Sequence, residues 1–313
     1  MMKTQCITSY RIGSLPENII ETILSLIPIR DALRTSVLSK RWRHCWMTMP
    51  KLVFDDNLVQ AIKRLVISKR LVKSKLLNAI LHVLLMHSGP TILKFKFDLD
   101  IDTEFDQIVP YLSRRNNVKD LIIDYDTSYT YKLPTSFFSL QGLESLVLIN
   151  CYFKSPVTFS GFTKLKNLVF EDVRISNKVL QHLLSNCPLL ETISLIEYDD
   201  INEEHLSFDF VKLFQCVPLI YALDISMYCM KYEVSGGMPP HKLPTSLNLK
   251  YVRLDVCLRE EDAVSSALCI IRSSPNLEQL SFAMYDYEGL AIQESSINFE
   301  DLHDGLEFDL RSS

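Results

Sequence analysis

The sequence contains no uninterrupted apolar segment long enough to cross a lipid bilayer. The nearest candidate, LLNAILHVLLM at 76–86, is short and carries Asn78 and His82, whereas a spanning helix needs about 20 apolar residues. The N-terminal stretch MMKTQCITSYRIGSLP also lacks the continuous apolar core of a secretory signal. These absences predict a protein of the nucleus or cytoplasm that has no membrane partner.

An excess of positive charge is missing as well, because the formal net charge is -5. A protein whose main partner is a phosphate backbone needs a basic surface, so nucleic acid is not predicted as a partner. The eight glycines are dispersed, and no phosphate-binding loop, GxSxG elbow or HExxH motif occurs. The sequence therefore predicts no enzymatic activity, no catalytic residue and no cofactor.

Metal-site spacing is absent too. The eight cysteines form no CxxC pair and none has a histidine at zinc spacing. In a chain of this length that pattern favours reduced core thiols over disulfides. His82 and His87 are five residues apart rather than one helical turn, so no shared metal is predicted.

What the sequence does contain is a repeat. Blocks of the form apolar-x-x-apolar-x-apolar begin at Ile92, Val118, Leu143, Leu165, Leu190, Ile220, Leu249 and Leu277. Their spacing of 22 to 30 residues is near that of leucine-rich repeats. Each block ends with the alternation of a strand, and helices are predicted between blocks over 177–184, 211–216 and 261–271. The repeat thus predicts an α/β solenoid with a parallel sheet on its concave face.

The outward strand positions give a weaker clue to a binding surface. Most are polar, Asp224 and Arg253 among them, but those of the middle repeats are apolar. The apolar positions are Ile122, Val147, Ile149, Val169 and Ile196. An exposed apolar patch marks a binding site, so these residues are predicted to contact a target protein. The alternative is that they reflect β-propensity or are covered by a neighbouring loop.

Residues 14–50 follow a helical period instead. Ile19, Ile20, Ile23, Leu24 and Ile27 share one face of a helix that begins near SLPE. Pro28 is predicted to break this helix, a second is predicted from Arg30, and a third over 39–47. Three such helices bury too little to fold well alone, so their apolar surface needs a neighbour.

Both tryptophans lie in this region, among basic residues. Trp42 and Trp46 share the apolar stripe of Leu38 rather than the side of Arg41 and Arg43, which disfavours a site for stacking nucleotide bases. Packing in the core and contact with a partner helix both remain compatible with the pattern.

Longer stretches resemble one plant family. SLPENIIETILSLIPIRDALRTSVLSKRWRHCW at 14–46 resembles an F-box, with its Leu-Pro opening and its VLSKRWRxxW ending. The segments 49–56 and 76–97, and the junction CPLLETISL, are similar to those of plant F-box/FBD/leucine-rich-repeat proteins. LKYVRLDVCLREEDAVSSALCIIRSSPNLEQLSF resembles their FBD module.

The resemblance implies an arrangement of domains along the chain. A tail, 1–13, would precede a three-helix F-box at 14–50, a connecting strand and helices at 51–90, and an irregular leucine-rich-repeat solenoid at 91–286. The FBD-like part would cover 241–286. Residues 287–313 carry many acids, and we predict a flexible tail.

The resemblance also implies a function. An F-box docks on a Skp-type adaptor, which binds cullin and RING subunits. The chain would then be the substrate-recognition subunit of an SCF-type E3 ubiquitin ligase, with repeats that bind an unknown target. The alternative is a leucine-rich-repeat interaction scaffold that is not coupled to a ligase. The residues implied to face the adaptor are Leu15, Pro16, Ile19, Ile20, Leu24, Ile29, Val37, Leu38 and Trp42. Trp46 would seat the F-box against the segment that follows it.

Overall fold

The computed structural model describes most of the chain between residues 15 and 298. The described ranges are 15–89, 92–98, 105–114, 118–125, 130–197, 210–226, 243, 247–257, 261–285 and 291–298. The chain comprises two compact units, Met1–Asp126 and Thr127–Ser313. The predicted repeat region, 91–286, therefore contributes to both units.

The first unit opens with two short helices separated by a proline. α1 spans Glu17–Ser25 and α2 spans Ile29–Thr35. Pro16 and Pro28 stand at their N-cap positions, where a missing N–H removes no helical hydrogen bond. Pro28 thus ends one helix and begins the next, as the sequence predicts.

The third helix of this region differs from the prediction over 39–47. Residues 40–44 form turns, and only Cys45–Thr48 is helical, as a 3₁₀ helix. Its bonds reach three residues back: the Cys45 N–H donates to the Trp42 carbonyl at 3.4 Å, and the Met47 N–H to the His44 carbonyl at 3.0 Å. Burial of Trp42 and Trp46, rather than helix propensity, determines the path of this segment.

The rest of the first unit alternates strands and helices. Its elements are β1 (Lys51–Phe54), α3 (Asp56–Lys63), α4 (Lys69–Met86), β2 (Ile92–Asp98), α5 (Phe105–Arg114) and β3 (Val118–Asp124). The three strands pair in parallel in that order. Leu52, Phe54, Phe95 and Leu121 are at most 1% exposed, so they form the core beneath this sheet.

The second unit contains a larger parallel sheet. Its strands are β5 (Ser145–Ile149), β7 (Asn167–Glu171), β8 (Thr192–Ile196), β9 (Ala222–Ile225), β10 (Tyr251–Cys257), β11 (Gln279–Tyr285) and β12 (Ala291–Asn298). β4 (Tyr131–Lys132) and β6 (Cys151–Tyr152) form a separate pair. Its helices are α6 (Asn177–Ser185), α7 (Phe210–Cys216) and α8 (Glu261–Arg272).

Strand order in the second unit follows chain order, with β5 through β11 parallel and β12 antiparallel to β11. Each of the eight sequence blocks coincides with a strand, which confirms the prediction of a repeat-built parallel sheet. Leu143, Leu165 and Leu190, which open three of these blocks, are 0% exposed. The repeated leucine therefore packs in the core two residues before its strand begins.

Two strands end in the same left-handed turn. Asn150 and Asp172 follow β5 and β7 with φ of 56° and 49°, a conformation that short polar side chains tolerate best. The Asn150 N–H donates to the Glu171 carbonyl at 2.9 Å, and the Asp172 N–H to the Ile196 carbonyl at 2.8 Å. Each turn is thus tied to the end of the next strand, which fixes the register between repeats.

A cluster of aromatic rings fills part of the second core. Phe137 and Phe138 come from the 3₁₀ helix Thr135–Ser139, which follows β4. Together with Phe153, Phe159, Phe162 and Phe170 they form ring pairs whose centroids are 4.9–6.5 Å apart. Edge-to-face pairs of this kind stabilise a core beyond the burial of area alone.

The prediction of a flexible tail at 287–313 is wrong for the part that forms the strand β12, Ala291–Asn298. β12 pairs antiparallel with β11, placing Leu280 opposite Ile297. The added strand pairs the backbone edge of β11, and paired backbone groups are more stable than exposed ones at a sheet edge. Residues 287–290 and 299–313 lie outside the described part of the chain.

Candidate functional site

Helix α1 is apolar on two faces, only one of which packs against the protein. Ile20 and Leu24 are 0% exposed, whereas Ile19 is 41%, Ile23 36% and Leu26 77% exposed. The exposed three recur at i, i+4 and i+7, so they form a stripe along one side of the helix. This stripe is apolar surface that the first unit does not cover.

A second exposed apolar pair follows α2. Val37 is 87% and Leu38 52% exposed. The turn that carries them is held by the Leu38 N–H, which donates to the Thr35 carbonyl at 2.9 Å. The Ser36 hydroxyl also donates to the Arg43 carbonyl at 3.3 Å, so the turn is fixed rather than frayed.

Several residues that the resemblance implied for the adaptor lie in the core instead. Ile20, Leu24, Ile29 and Trp42 are 0–2% exposed, and such side chains offer no area to a partner. Contact with an adaptor stays a prediction for the others: Pro16, Ile19, Val37 and Leu38 are exposed, and Leu15 is partly exposed. The predicted set lacked Ile23 and Leu26, although their spacing from Ile19 was a usable signal.

Burial of the tryptophans also bears on nucleic-acid binding. Trp42 is 2% and Trp46 5% exposed, so neither ring is available to stack on a base. Arg41 and Arg43 are exposed beside them and form the solvated side of the segment. The 3₁₀ helix that carries Trp46 packs against α1 and α2, so this tryptophan belongs to the core of the F-box region.

His87 anchors the end of this region. Its ring is 1% exposed, and its Nε2 lies 2.9 Å from the Met49 carbonyl oxygen. The Ser88 and Gly89 N–H groups both donate to the Met47 carbonyl, at 2.8 and 3.2 Å. A Cβ at Gly89 would come within 2.9 Å of the His87 ring, which explains glycine there. His87 is thus a structural residue that ties residues 47–49 to the end of α4.

The predicted target-binding residues lie on the half-exposed face of their strands. Ile122 is in the first unit, opposite Lys96 of β2. In the second unit Val147 pairs with Val169, and Glu171 lies between Ile149 and Ile196. All five are partly exposed. The apolar surface is therefore divided between the units and interrupted by one carboxylate, and its role stays a prediction.

The same face of the second unit holds a depression of about 300 Å³ that is lined by both polar and apolar residues. Its lining includes Thr192, Ser194, Asp224, Tyr251, Arg253 and Gln279. The sequence placed Asp224 and Arg253 on this face but gave no sign of the depression, because the depression depends on how β8, β9 and β10 align.

Asp224 is the central charge of the depression. It accepts a hydrogen bond from the Ser194 hydroxyl at 3.2 Å, and Arg253 Nε lies 4.0 Å from its Oδ1. Burial raises the pKa of the Asp224 carboxyl, although Arg253 and Ser194 act in the opposite direction. Arg253 Nε also lies 3.8 Å from Asp255 Oδ1, so one guanidinium is shared by two carboxylates.

The described ranges contain no group of three His, Cys, Asp or Glu side chains placed to hold a metal ion. No helix in them is both long and apolar enough to traverse a bilayer. The six described cysteines are free thiols, and burial raises the pKa of Cys187 to about 11. A thiol with such a pKa is not a nucleophile at neutral pH.

Two family models match the chain. The F-box domain model matches residues 12–54, and the model for the leucine-rich repeats of FBD-associated F-box protein At5g56370 matches residues 109–220. Together these matches point to a protein of the F-box substrate-receptor type, and the F-box implies binding of a Skp-type adaptor.

Individual relatives come from Arabidopsis thaliana. F-box/FBD/LRR-repeat protein At1g13570 is 31% identical over 335 residues, which cover 92% of this chain and 79% of the relative. FBD-associated F-box protein At5g56370 is 29% identical over 79% of this chain and 54% of its own length. F-box protein At5g03100 is 27% identical over 63% of this chain and 59% of its own length. The chain belongs to the plant family of F-box/FBD/leucine-rich-repeat proteins.

Proposed function

We propose that the chain is the non-catalytic substrate-recognition subunit of an SCF-type E3 ubiquitin ligase. Its F-box would bind a Skp-type adaptor, through it the cullin and RING subunits, and its repeat sheet would bind the target. The observation that carries the proposal is the uncovered apolar surface of the F-box region. A helix with apolar side chains on both faces leaves one of these faces in contact with water. This contact is unfavourable unless a partner covers the face.

The adaptor surface of the proposal is narrower than the resemblance implies. It consists of the exposed residues Ile19, Ile23, Leu26, Val37 and Leu38, with Leu15 and Pro16 at the start of α1. Aliphatic side chains that a partner covers contribute to binding through the apolar area they remove from water. The buried residues of the F-box act indirectly, by holding α1 and the turn after α2 in place.

Linkage of two binding surfaces on one chain supplies the mechanism. A target held by the repeats is kept near the ligase at a raised effective concentration, so transfer of ubiquitin to its lysines does not depend on chance encounter. No group on this chain has to take part in the bond-forming chemistry. We place the ligase in the nucleus or cytoplasm.

Co-purification with a Skp-type adaptor tests the proposal. The double substitution Val37→Ser and Leu38→Ser is expected to lower adaptor recovery about ten-fold or more, since burial of a Val or Leu side chain contributes on the order of 1 kcal/mol or more. Val157→Ser is the matched control, because Val157 is 103% exposed and lies in the second unit. Equal recovery of the double variant and the control would contradict the proposal.

A chain that binds no adaptor but still binds a specific protein through its repeats would favour the scaffold function that is not coupled to a ligase.

A further inference from the structure

The register of the second sheet aligns a row of side chains across its half-exposed face. Val147 pairs with Val169, Val169 with Ser194, and Ser194 with Asp224. The row continues from Asp224 to Arg253 and Ser281. One side chain per strand thus leads from an apolar end at β5 and β7 to the charged side chains of the depression at β9 and β10.

The polar end of the row carries an excess of negative charge. Asp224 and Asp255 share the single guanidinium of Arg253, at 4.0 and 3.8 Å from its Nε. A further carboxylate on the same face, Glu171, lies on β7 beside Val169, two strands away from Asp224. The Arg253 side chain is 57% exposed, whereas those of Asp224 and Asp255 are 30% and 14% exposed. The carboxylates are therefore the more enclosed charges, and the cation that offsets them is largely in solvent.

An aromatic ring borders the depression on the same side. Tyr251 is 43% exposed and packs edge-on against Tyr221, with ring centroids 6.3 Å apart. Its neighbour in the next strand is Ala222, whose small side chain leaves room beside the ring. A tyrosine face next to a carboxylate attracts a cationic side chain by both Coulomb and cation–π interaction.

We infer that this face binds an extended target segment in which an aliphatic or aromatic residue lies about three positions from a lysine or arginine. The apolar residue would contact Val147 and Val169, and the cation would enter the depression beside Asp224 and Tyr251. The spacing comes from the row itself, because Val169 and Asp224 are two strands apart, about 10 Å. An extended segment of the polyproline II type advances about 3.1 Å per residue and returns a side chain to the same side every third residue. The inference rests on the proposed function, since it specifies which targets the repeats recognise.

Charge complementarity selects this occupant over others. An acidic segment would meet Asp224, Asp255 and Glu171 with only Arg253 in its favour. A purely apolar segment would remove water from the Asp224 carboxylate and leave it only the guanidinium of Arg253, which Asp255 shares, and such desolvation is costly. A cationic side chain compensates for the lost hydration of Asp224. It also adds a second positive charge beside that of Arg253, which Asp224 and Asp255 share.

Selection from a displayed library of random linear peptides tests the inference, with the full chain purified together with its adaptor as bait. Enrichment of Lys or Arg about three positions from an apolar residue is expected. A synthetic peptide of the selected sequence should bind Asp224→Asn about ten-fold more weakly or worse, the loss expected on removing the charge partner of a hydrogen-bonded cation. Glu191→Gln is the control, because Glu191 pairs with Lys166 outside the depression.

A third variant separates recognition from a structural role. Arg253→Gln removes the cation that competes with the peptide for Asp224, so binding of the cationic peptide should tighten. Selection of acidic peptides, selection without charge bias, or unchanged binding by Asp224→Asn would overturn the inference. Adaptor recovery is measured in parallel on every variant. If the wild-type chain recovers the adaptor but selects no such peptide, this inference alone fails. If it binds the peptide but recovers no adaptor, the proposed ligase function fails.

Discussion

At the scale of single residues, Asp224 shows how a binding position can be kept at the expense of stability. Its carboxylate is enclosed by the sheet, and burial raises its pKa despite the hydrogen bond from Ser194 and the nearby Arg253. The ionised form of the carboxyl is therefore less stable in the folded protein than in the unfolded chain. A group of this kind is typical of functional surfaces, where a residue is retained for its interactions with a ligand.

This leads to a prediction on stability. A carboxyl whose pKa is raised by folding stabilises the protein below its unfolded-state pKa, and that contribution is lost as the pH rises through the folded-state pKa. Asp224→Asn keeps the shape and removes the charge, so we expect it to be more stable than the wild type at pH 7. The difference should shrink as the pH falls toward about 4, the ordinary range of a carboxyl.

Urea unfolding at a series of pH values measures this, with Glu191→Gln as the control for loss of a surface charge. Among the described residues, Arg253 and Asp255 of β10 are the charged groups near Asp224, and β8 contributes the neutral Ser194. A variant less stable than the wild type at pH 7 would show that the ion pair with Arg253 outweighs the cost of burial.

At the scale of elements, the F-box region separates what can be predicted from the sequence from what cannot. The boundaries of α1 and α2 were predictable because Pro16 and Pro28 act locally, through their missing N–H groups. The segment 39–47 was not, because its apolar spacing fits a helix while its actual path is set by where Trp42 and Trp46 find room in the core. Because of the same packing, Trp42 lies in the core and not on the predicted adaptor surface.

Substitution of Trp42 distinguishes these two locations. Because the side chain is 2% exposed, Trp42→Ala should lower the free energy of unfolding of the first unit by about 3–5 kcal/mol, the range for loss of a buried aromatic side chain. Val37→Ala, at an exposed site, should change it by less than about 0.5 kcal/mol. Denaturant unfolding measures both changes in the free energy of unfolding. It is followed by tryptophan fluorescence for Val37→Ala, and by circular dichroism for Trp42→Ala because that variant lacks one of the tryptophans. A stable Trp42→Ala protein that no longer binds the adaptor would contradict burial.

The sequence predicts the positions of the repeat strands nearly correctly. Burial alternates along each strand, so Leu146 and Leu148 are in the core while Val147 between them is half-exposed, and this alternation is visible in the sequence. The depression around Asp224 was not predictable, since it arises from the alignment of neighbouring strands, which no local pattern encodes. β12 was missed because its segment shows no apolar face of its own and becomes a strand through pairing with β11.

At the scale of the whole molecule, the two proposed binding surfaces belong to different compact units. The exposed apolar residues of the F-box are in Met1–Asp126, and the row that ends at Asp224 is in Thr127–Ser313. The proposed function requires that both surfaces act from one chain, since only a covalent link raises the effective concentration of the target near the ligase.

Mixing variants tests that requirement. A reporter protein fused to the selected cationic peptide is incubated with the chain, a Skp-type adaptor, cullin, RING and the ubiquitin-activating and -conjugating enzymes. Val37→Ser with Leu38→Ser, and separately Asp224→Asn, should each reduce ubiquitination of the reporter about ten-fold or more. An equimolar mixture of the two variants should remain inactive, because neither chain carries both surfaces. Restored activity in the mixture would mean that the surfaces need not be linked.

The row from Val147 to Ser281 has a consequence for how such a family diversifies. Each strand contributes one half-exposed side chain to it, held by a backbone whose register is fixed by the turns at Asn150 and Asp172 and by the buried leucines below. A substitution in the row changes the chemistry at one point of the surface and leaves the core packing unaltered. Gene duplicates can thus acquire new targets through single substitutions in this row, with little effect on the stability of the fold.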